Sequence, residues 1–103
     1  MANRKNLTDS GVADLAVKER KYDVRDATLP GLLVCVEGSG RKTFYFRYSI
    51  RGRVRWYRIG PAAMGAAAAK IMAKKLIGDV ANGRDPQAER VSQRMSGVTF
   101  AGQ

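Results

Sequence analysis

Two short interruptions in an otherwise strand-like stretch, Gly38-Ser39-Gly40 and Arg51-Gly52, constrain this chain more than any other feature of its sequence. If Arg51-Gly52 is a two-residue hairpin loop, Ile50 pairs with Arg53, Tyr48 with Arg55, Phe46 with Tyr57 and Phe44 with Ile59. A three-residue loop at Gly38-Ser39-Gly40 sets Val36 opposite Lys42, Val34 opposite Phe44 and Leu32 opposite Phe46. Four residues there would reverse the parity, because a slip of one residue turns every side chain to the other face. The loop lengths therefore predict one apolar face made of Leu32, Val34, Val36, Phe44, Phe46, Tyr48, Ile50, Tyr57 and Ile59. Tyr22 and Val24, in the alternating segment Tyr22-Asp23-Val24-Arg25, join it. The other face carries Leu33, Cys35, Thr43, Tyr45, Arg47, Ser49, Val54, Trp56 and Arg58.

An apolar sheet face needs a cover, and the alanine-rich stretch from Gly65 to Asn82 supplies one. Ala69, Met72, Ala73, Leu76, Ile77 and Val80 recur at helical spacing, with Lys70, Lys74, Lys75 and Asp79 mostly on the other side. Gly83 is placed to close that helix, and Asp85-Pro86 has the form of a fresh N-cap followed by proline at the first helical position. Upstream, Leu7-Thr8-Asp9 reads as the start of a short helix to about Ala16. Thr8 is its N-cap, Asp9 lies at the positive end of its dipole, and Leu7 is spaced to pack on Val12. Leu29-Pro30-Gly31 has the chemistry of a type II turn. The predicted fold is α+β: an antiparallel sheet of three to four strands, a long C-terminal helix on one face and a short N-terminal helix. A chain of 103 residues has room for one such core.

Composition then narrows the chemistry. The chain has one cysteine and no histidine. An intramolecular disulfide, a cysteine-based metal site and any histidine-dependent catalytic arrangement are thereby excluded within this chain. The carboxylates are scattered singly. No catalytic residue, metal or cofactor is expected, nor a small-molecule substrate. No apolar run approaches the ~18 residues of a membrane span, and the polar Met1–Lys5 leads into no apolar stretch, so a cytoplasmic location is expected.

The net charge of +10 is unevenly placed. In residues 1–40 basic and acidic side chains cancel. Residues 41–60 carry Arg41, Lys42, Arg47, Arg51, Arg53, Arg55 and Arg58 with no acid. Arginine interleaved with aromatic rings exceeds what solubility requires and points to nucleic acid. Cross-strand pairs Arg47 with Trp56 and Tyr45 with Arg58 would hold guanidinium groups over rings. Sheets can enter the major groove, where arginine reads guanine and Thr43 or a serine reaches bases or phosphates. Arg51 and Arg53 at the hairpin tip, and Lys42 near the other end, would neutralise phosphates. The expected DNA-binding residues are thus Lys42, Thr43, Tyr45, Arg47, Arg51, Arg53, Trp56 and Arg58.

A set of segments in fixed order also resembles a known family. It comprises Leu7-Thr8-Asp9, Lys21-Tyr22-Asp23-Val24-Arg25-Asp26, Leu29-Pro30-Gly31-Leu32, Gly40-Arg41-Lys42-Thr43-Phe44, Arg47-Tyr48, Gly52-Arg53, Ile59-Gly60 and Gly83-Arg84-Asp85-Pro86. The set is similar to the amino-terminal domain of phage- and genomic-island-type tyrosine integrases. The resemblance implies a domain over residues 1–86 that binds arm-type sites on double-stranded DNA during integration and excision. It also implies a linker over residues 87–103, in which Val98-Thr99-Phe100 looks like the lead-in to a core-binding domain. The catalytic residues of such a recombinase would lie in further domains of the parent integrase. The chain departs from the family pattern at Cys35, where a basic or polar residue is usual, and at Gly65, where the long helix usually opens with a Ser or Thr cap. Two other function classes fit the residues alone. An exposed Tyr and Trp could stack the bases of RNA or single-stranded nucleic acid, or the Trp/Arg face could anchor a protein partner.

Overall fold

The loop lengths set the register, and the register sets the fold. The structure is a computed structural model that describes residues 4–90. Its strands run in spatial order β1 (Arg4–Lys5), β2 (Tyr22–Asp26), β3 (Leu32–Val36), β4 (Lys42–Ile50) and β5 (Arg53–Pro61). β2 to β5 form a four-stranded antiparallel meander, and the two residues of β1 add to its edge in parallel. Val36 lies opposite Lys42, Val34 opposite Phe44 and Leu32 opposite Phe46. Across the next hairpin Ile50 meets Arg53, Tyr48 meets Arg55, and Phe46 meets Tyr57. Arg51 and Gly52 both hold positive φ, 51° and 77°, which is what a twist-matched two-residue turn demands.

One expected pair is wrong. Phe44 lies opposite Gly60 instead of Ile59, because the ladder shifts between Phe44 and Tyr45 and leaves Ile59 as the extra residue of a bulge. Ile59 still packs against both parts of the core. The bulge costs the ladder one pairing without changing which face is apolar.

The Leu29-Pro30-Gly31 turn forms as read, with Leu32 N donating to Leu29 O at 3.2 Å. Gly31 has a φ of 91°, and a Cβ there would lie 2.5 Å from the carbonyl oxygen of Arg47. Only glycine permits that approach, which also lets Arg47 N donate to Gly31 O at 2.8 Å. The backbone of Arg47 is thereby fixed by a residue outside its own hairpin.

Helix α1 (Asp9–Ala13) is shorter than the sequence predicts, ending before Ala16. Thr8 caps it by accepting from Gly11 N at 3.0 Å, and Leu7 and Val12 are buried in one cluster. After a 3-10 turn (Ala62–Met64), helix α2 (Ala66–Ala81) lays Ala66, Ala69, Ala73 and Leu76 on the sheet. Alanine at these positions keeps the helix close to Leu32, Val34, Val36 and Phe44, all fully buried. Each such large side chain contributes about 1.5–3 kcal/mol of burial. Gly65 offers no side-chain cap to α2, and Asp9 supplies the missing acceptor, taking Ala66 N at 2.6 Å. Beyond α2, Gly83 N donates to Val80 O and Arg84 N to Asp79 O, the paired bonds of a Schellman motif.

A new helix begins at residue 86, and Ala88 N donates to Asp85 Oδ1 at 3.2 Å, so Asp85 is the cap its position predicts. The Asp85 carboxylate also accepts from the Tyr48 hydroxyl and pairs with Arg55 at 2.9 Å. Gln87 N donates to the Tyr48 oxygen at 3.0 Å. Burial works to raise the Asp85 pKa, but the Tyr48 hydroxyl, Ala88 N and Arg55 together hold it below the ordinary carboxylate value. Val98-Thr99-Phe100 lies outside the described residues.

Candidate nucleic-acid interface

Strand parity sends alternate residues of β4 and β5 away from α2, and on that side no helix covers the sheet among the described residues. Tyr45, Arg47 and Ser49 project from β4, with Val54, Trp56 and Arg58 beside them on β5. Trp56 is 42% exposed and Val54 52%, large values for apolar side chains in a sheet. The Arg47 guanidinium lies 5.9 Å from the centre of the Trp56 ring, at the outer limit of a cation–π contact. The Tyr45 ring meets Trp56 edge to face, with centroids 5.9 Å apart and an interplanar angle of 81°.

That geometry corrects one expectation. Tyr45 and Arg58 are register partners, but the Tyr45 ring engages Trp56 instead of the Arg58 guanidinium. The result is a chain of contacts, Arg47 to Trp56 to Tyr45, across the middle of the hairpin. Arg58 stands exposed at its end, and its backbone oxygen accepts from Arg90 at 2.9 Å.

The outward residues of β3 behave differently. Leu33 is 1% exposed and Cys35 9%, and Thr43 of β4 beside them is 2% exposed. They face away from α2 but lie low beneath taller neighbours. Across β3 to β5 the more accessible part of this face is therefore the β4–β5 hairpin, a two-stranded ribbon.

Of the residues expected to contact DNA, the structure brings Tyr45, Arg47, Trp56 and Arg58 together on one surface. Arg51 and Arg53 are exposed at the hairpin tip, but Arg53, opposite Ile50, has the parity of the helix-covered side, and Arg51 reaches Gly83 O just beyond α2 at 3.4 Å. Thr43 has the outward parity but is only 2% exposed. Lys42 is on the other side of the sheet. Its Nζ donates to the carbonyls of Val12 and Ala13, both at 2.9 Å, and so closes the C-terminal end of α1. A lysine held by two carbonyls on the helix-covered side is not placed to neutralise the same phosphates as the hairpin.

One basic residue of this face escaped the sequence reading. Arg25 pairs with Leu33, Leu33 with Tyr45, and Tyr45 with Arg58, so the four share a row across the sheet. Arg25 is exposed. The alternation that turned Tyr22 and Val24 inward already turned Arg25 outward; only the addition of β2 beside β3 puts it in line with the hairpin.

Comparison with known proteins gives a family. The model of the family described as an arm DNA-binding domain matches residues 7–93. No curated protein matches the chain.

Proposed function

The chain belongs to the arm DNA-binding domain family, and from that premise we propose that it binds duplex DNA sequence-specifically as the amino-terminal domain of a tyrosine-type integrase. In this reading it holds arm-type sites during DNA integration and excision, while catalysis belongs to other domains of the parent protein. Residues 1–86 form the DNA-binding unit. Residues 87–103 lead toward a core-binding domain, their first turn held against β5 by Arg90, which lies 3.6 Å over the Tyr57 ring.

The observation that carries the proposal is the joint placement of half-buried Tyr45 and Arg47 with exposed Trp56 and Arg58 on the outer side of a two-stranded ribbon. A major groove about 12 Å wide admits a two-stranded ribbon. Arg47, its head steadied by Trp56 and its backbone by Gly31, is suited to bidentate contact with a guanine edge. Arg51 and Arg53 at the tip, and Arg25 at the flank, supply cations for the phosphates on either side. Stacking of unpaired bases is a weaker fit. It needs free ring faces, and Arg47 lies over the Trp56 ring while Tyr45 meets that ring at 81°.

Titration of the 103-residue chain with duplex DNA at several salt concentrations tests the reading. With about six phosphates engaged, log affinity falls against log salt with a slope on the order of −5. A slope near zero, or amide shifts confined to α2 in place of β4 and β5, would overturn it.

A further inference from the structure

The sheet face just described holds one acid. Asp23 on β2 is the sole carboxylate among the outward residues of β2 to β5, and it is exposed. None of the ion pairs among the described residues uses it. On a surface that approaches phosphates such a carboxylate raises the cost of binding through like-charge repulsion, a cost that a hydrogen-bond donor on the ligand would offset.

The surroundings of Asp23 identify that partner's chemistry. Asp23 pairs in register with Cys35, and the two line a recess of about 350 Å³ with Lys21, Tyr45 and Trp56. Cys35, 9% exposed, forms the floor; burial, and then the charge of the Asp23 carboxylate and a hydrogen bond to it, push its thiol up, so it stays protonated and neutral. One wall is the Tyr45–Trp56 pair and the rim carries the carboxylate, which can only accept hydrogen bonds. An occupant that matches this lining offers a hydrogen-bond donor next to an apolar edge.

Among base edges in the major groove, cytosine meets that description, with its N4 amino donor beside the C5–H edge. Thymine presents an O4 acceptor, which a carboxylate repels. Adenine presents N6 as a donor but N7 as an acceptor alongside it, and guanine presents two acceptors. Resting on the duplex-binding reading above, we propose that Asp23 is a specificity-determining residue that accepts a hydrogen bond from the N4 amino group of a cytosine whose C5 edge sits against Cys35, Tyr45 and Trp56. Lys21 at the rim is then placed for the adjoining phosphate. The carboxylate selects by rejecting acceptor edges as much as by binding a donor.

The test is selection from a library of randomised DNA duplexes with the wild-type chain, Asp23→Ala and Asp23→Asn. The wild type should enrich one position for cytosine by about tenfold over the other bases. In Asp23→Ala that position should become indifferent while the remaining positions keep their preferences. Binding to an unselected duplex should also tighten, because a negative charge has left the interface, whereas a folding defect would weaken it. In Asp23→Asn the preference at the same position should move toward adenine, whose N6 and N7 an amide can bind together. A selected sequence that is identical for wild type and both variants would overturn the role of Asp23 and leave the duplex-binding reading standing. A wild type that enriches no duplex would overturn both.

Discussion

Neighbouring residues of β4 have opposite fates. Phe46 and Tyr48 turn toward α2, 3% and 6% exposed, their rings stacked with centroids 5.4 Å apart and planes 17° from parallel. Tyr45 and Arg47 turn outward to Trp56, in an edge-to-face contact and a long cation–π contact. The inner pair is held by dense packing and by Asp85 and Gln87 at the Tyr48 hydroxyl. The outer set is held by the backbone beneath it and a few weak ring contacts. One strand thus divides its labour: inward residues supply stability, and outward ones keep surface for a ligand at little cost to the fold.

If that division is sound, substitutions on the two sides should separate cleanly. Phe44→Ala, at a fully buried ring on the inner side, should cost about 3–5 kcal/mol in chemical denaturation. That is a large part of the roughly 5–15 kcal/mol available to a domain. Tyr48→Phe should cost about 1–3 kcal/mol, since it strips a partner from Asp85 and from Gln87 N. The same hydroxyl gives a pH signature. Burial, and then the Asp85 hydrogen bond, push the Tyr48 pKa up to about 12. A phenol with its folded pKa above the ordinary value stabilises fully below that ordinary value, about 10, and loses the contribution as pH rises toward 12. Wild-type stability should fall in that alkaline window, and Tyr48→Phe should flatten the fall. Asp85 has the opposite sign: its lowered pKa stabilises above the usual carboxylate range and is lost as pH falls below it.

Smaller effects sharpen the contrast. Asp9→Ala should cost about 1 kcal/mol through the uncapped start of α2, seen as faster amide exchange at Ala66 and its neighbours. Arg47→Ala, on the outer side, should change stability by less than about 0.5 kcal/mol while weakening specific duplex binding by about 1–3 kcal/mol. Equal stability losses at Phe44 and Arg47 would abolish the distinction between the two faces.

The sequence made the sheet legible where local rules decide. Loop lengths at Gly38-Ser39-Gly40 and Arg51-Gly52 set parity, so the sides of Phe46 and Tyr45 followed from counting. The placements that depend on another element coming alongside were not legible. Lys42 reads as one more cation in a basic run until α1 presents the carbonyls of Val12 and Ala13 to it. Gly65 reads as a weak cap until Asp9, distant in sequence, arrives at Ala66 N. Thr43 has the parity of a contact residue, and only its neighbours' size shows that it is covered. The bulge at Ile59 leaves no mark that alternation alone can detect, because an extra residue shifts pairing while the apolar side chain still finds the core.

The sunken floor of the outer face bears on the thermodynamics of any complex formed there. Leu33, Cys35 and Thr43 surrendered their hydration when the chain folded, so a ligand arriving over them dehydrates little additional hydrocarbon. The β3 side of this surface should therefore add little to the negative heat-capacity change of association, leaving that signature to the exposed Val54 and Trp56 on β5.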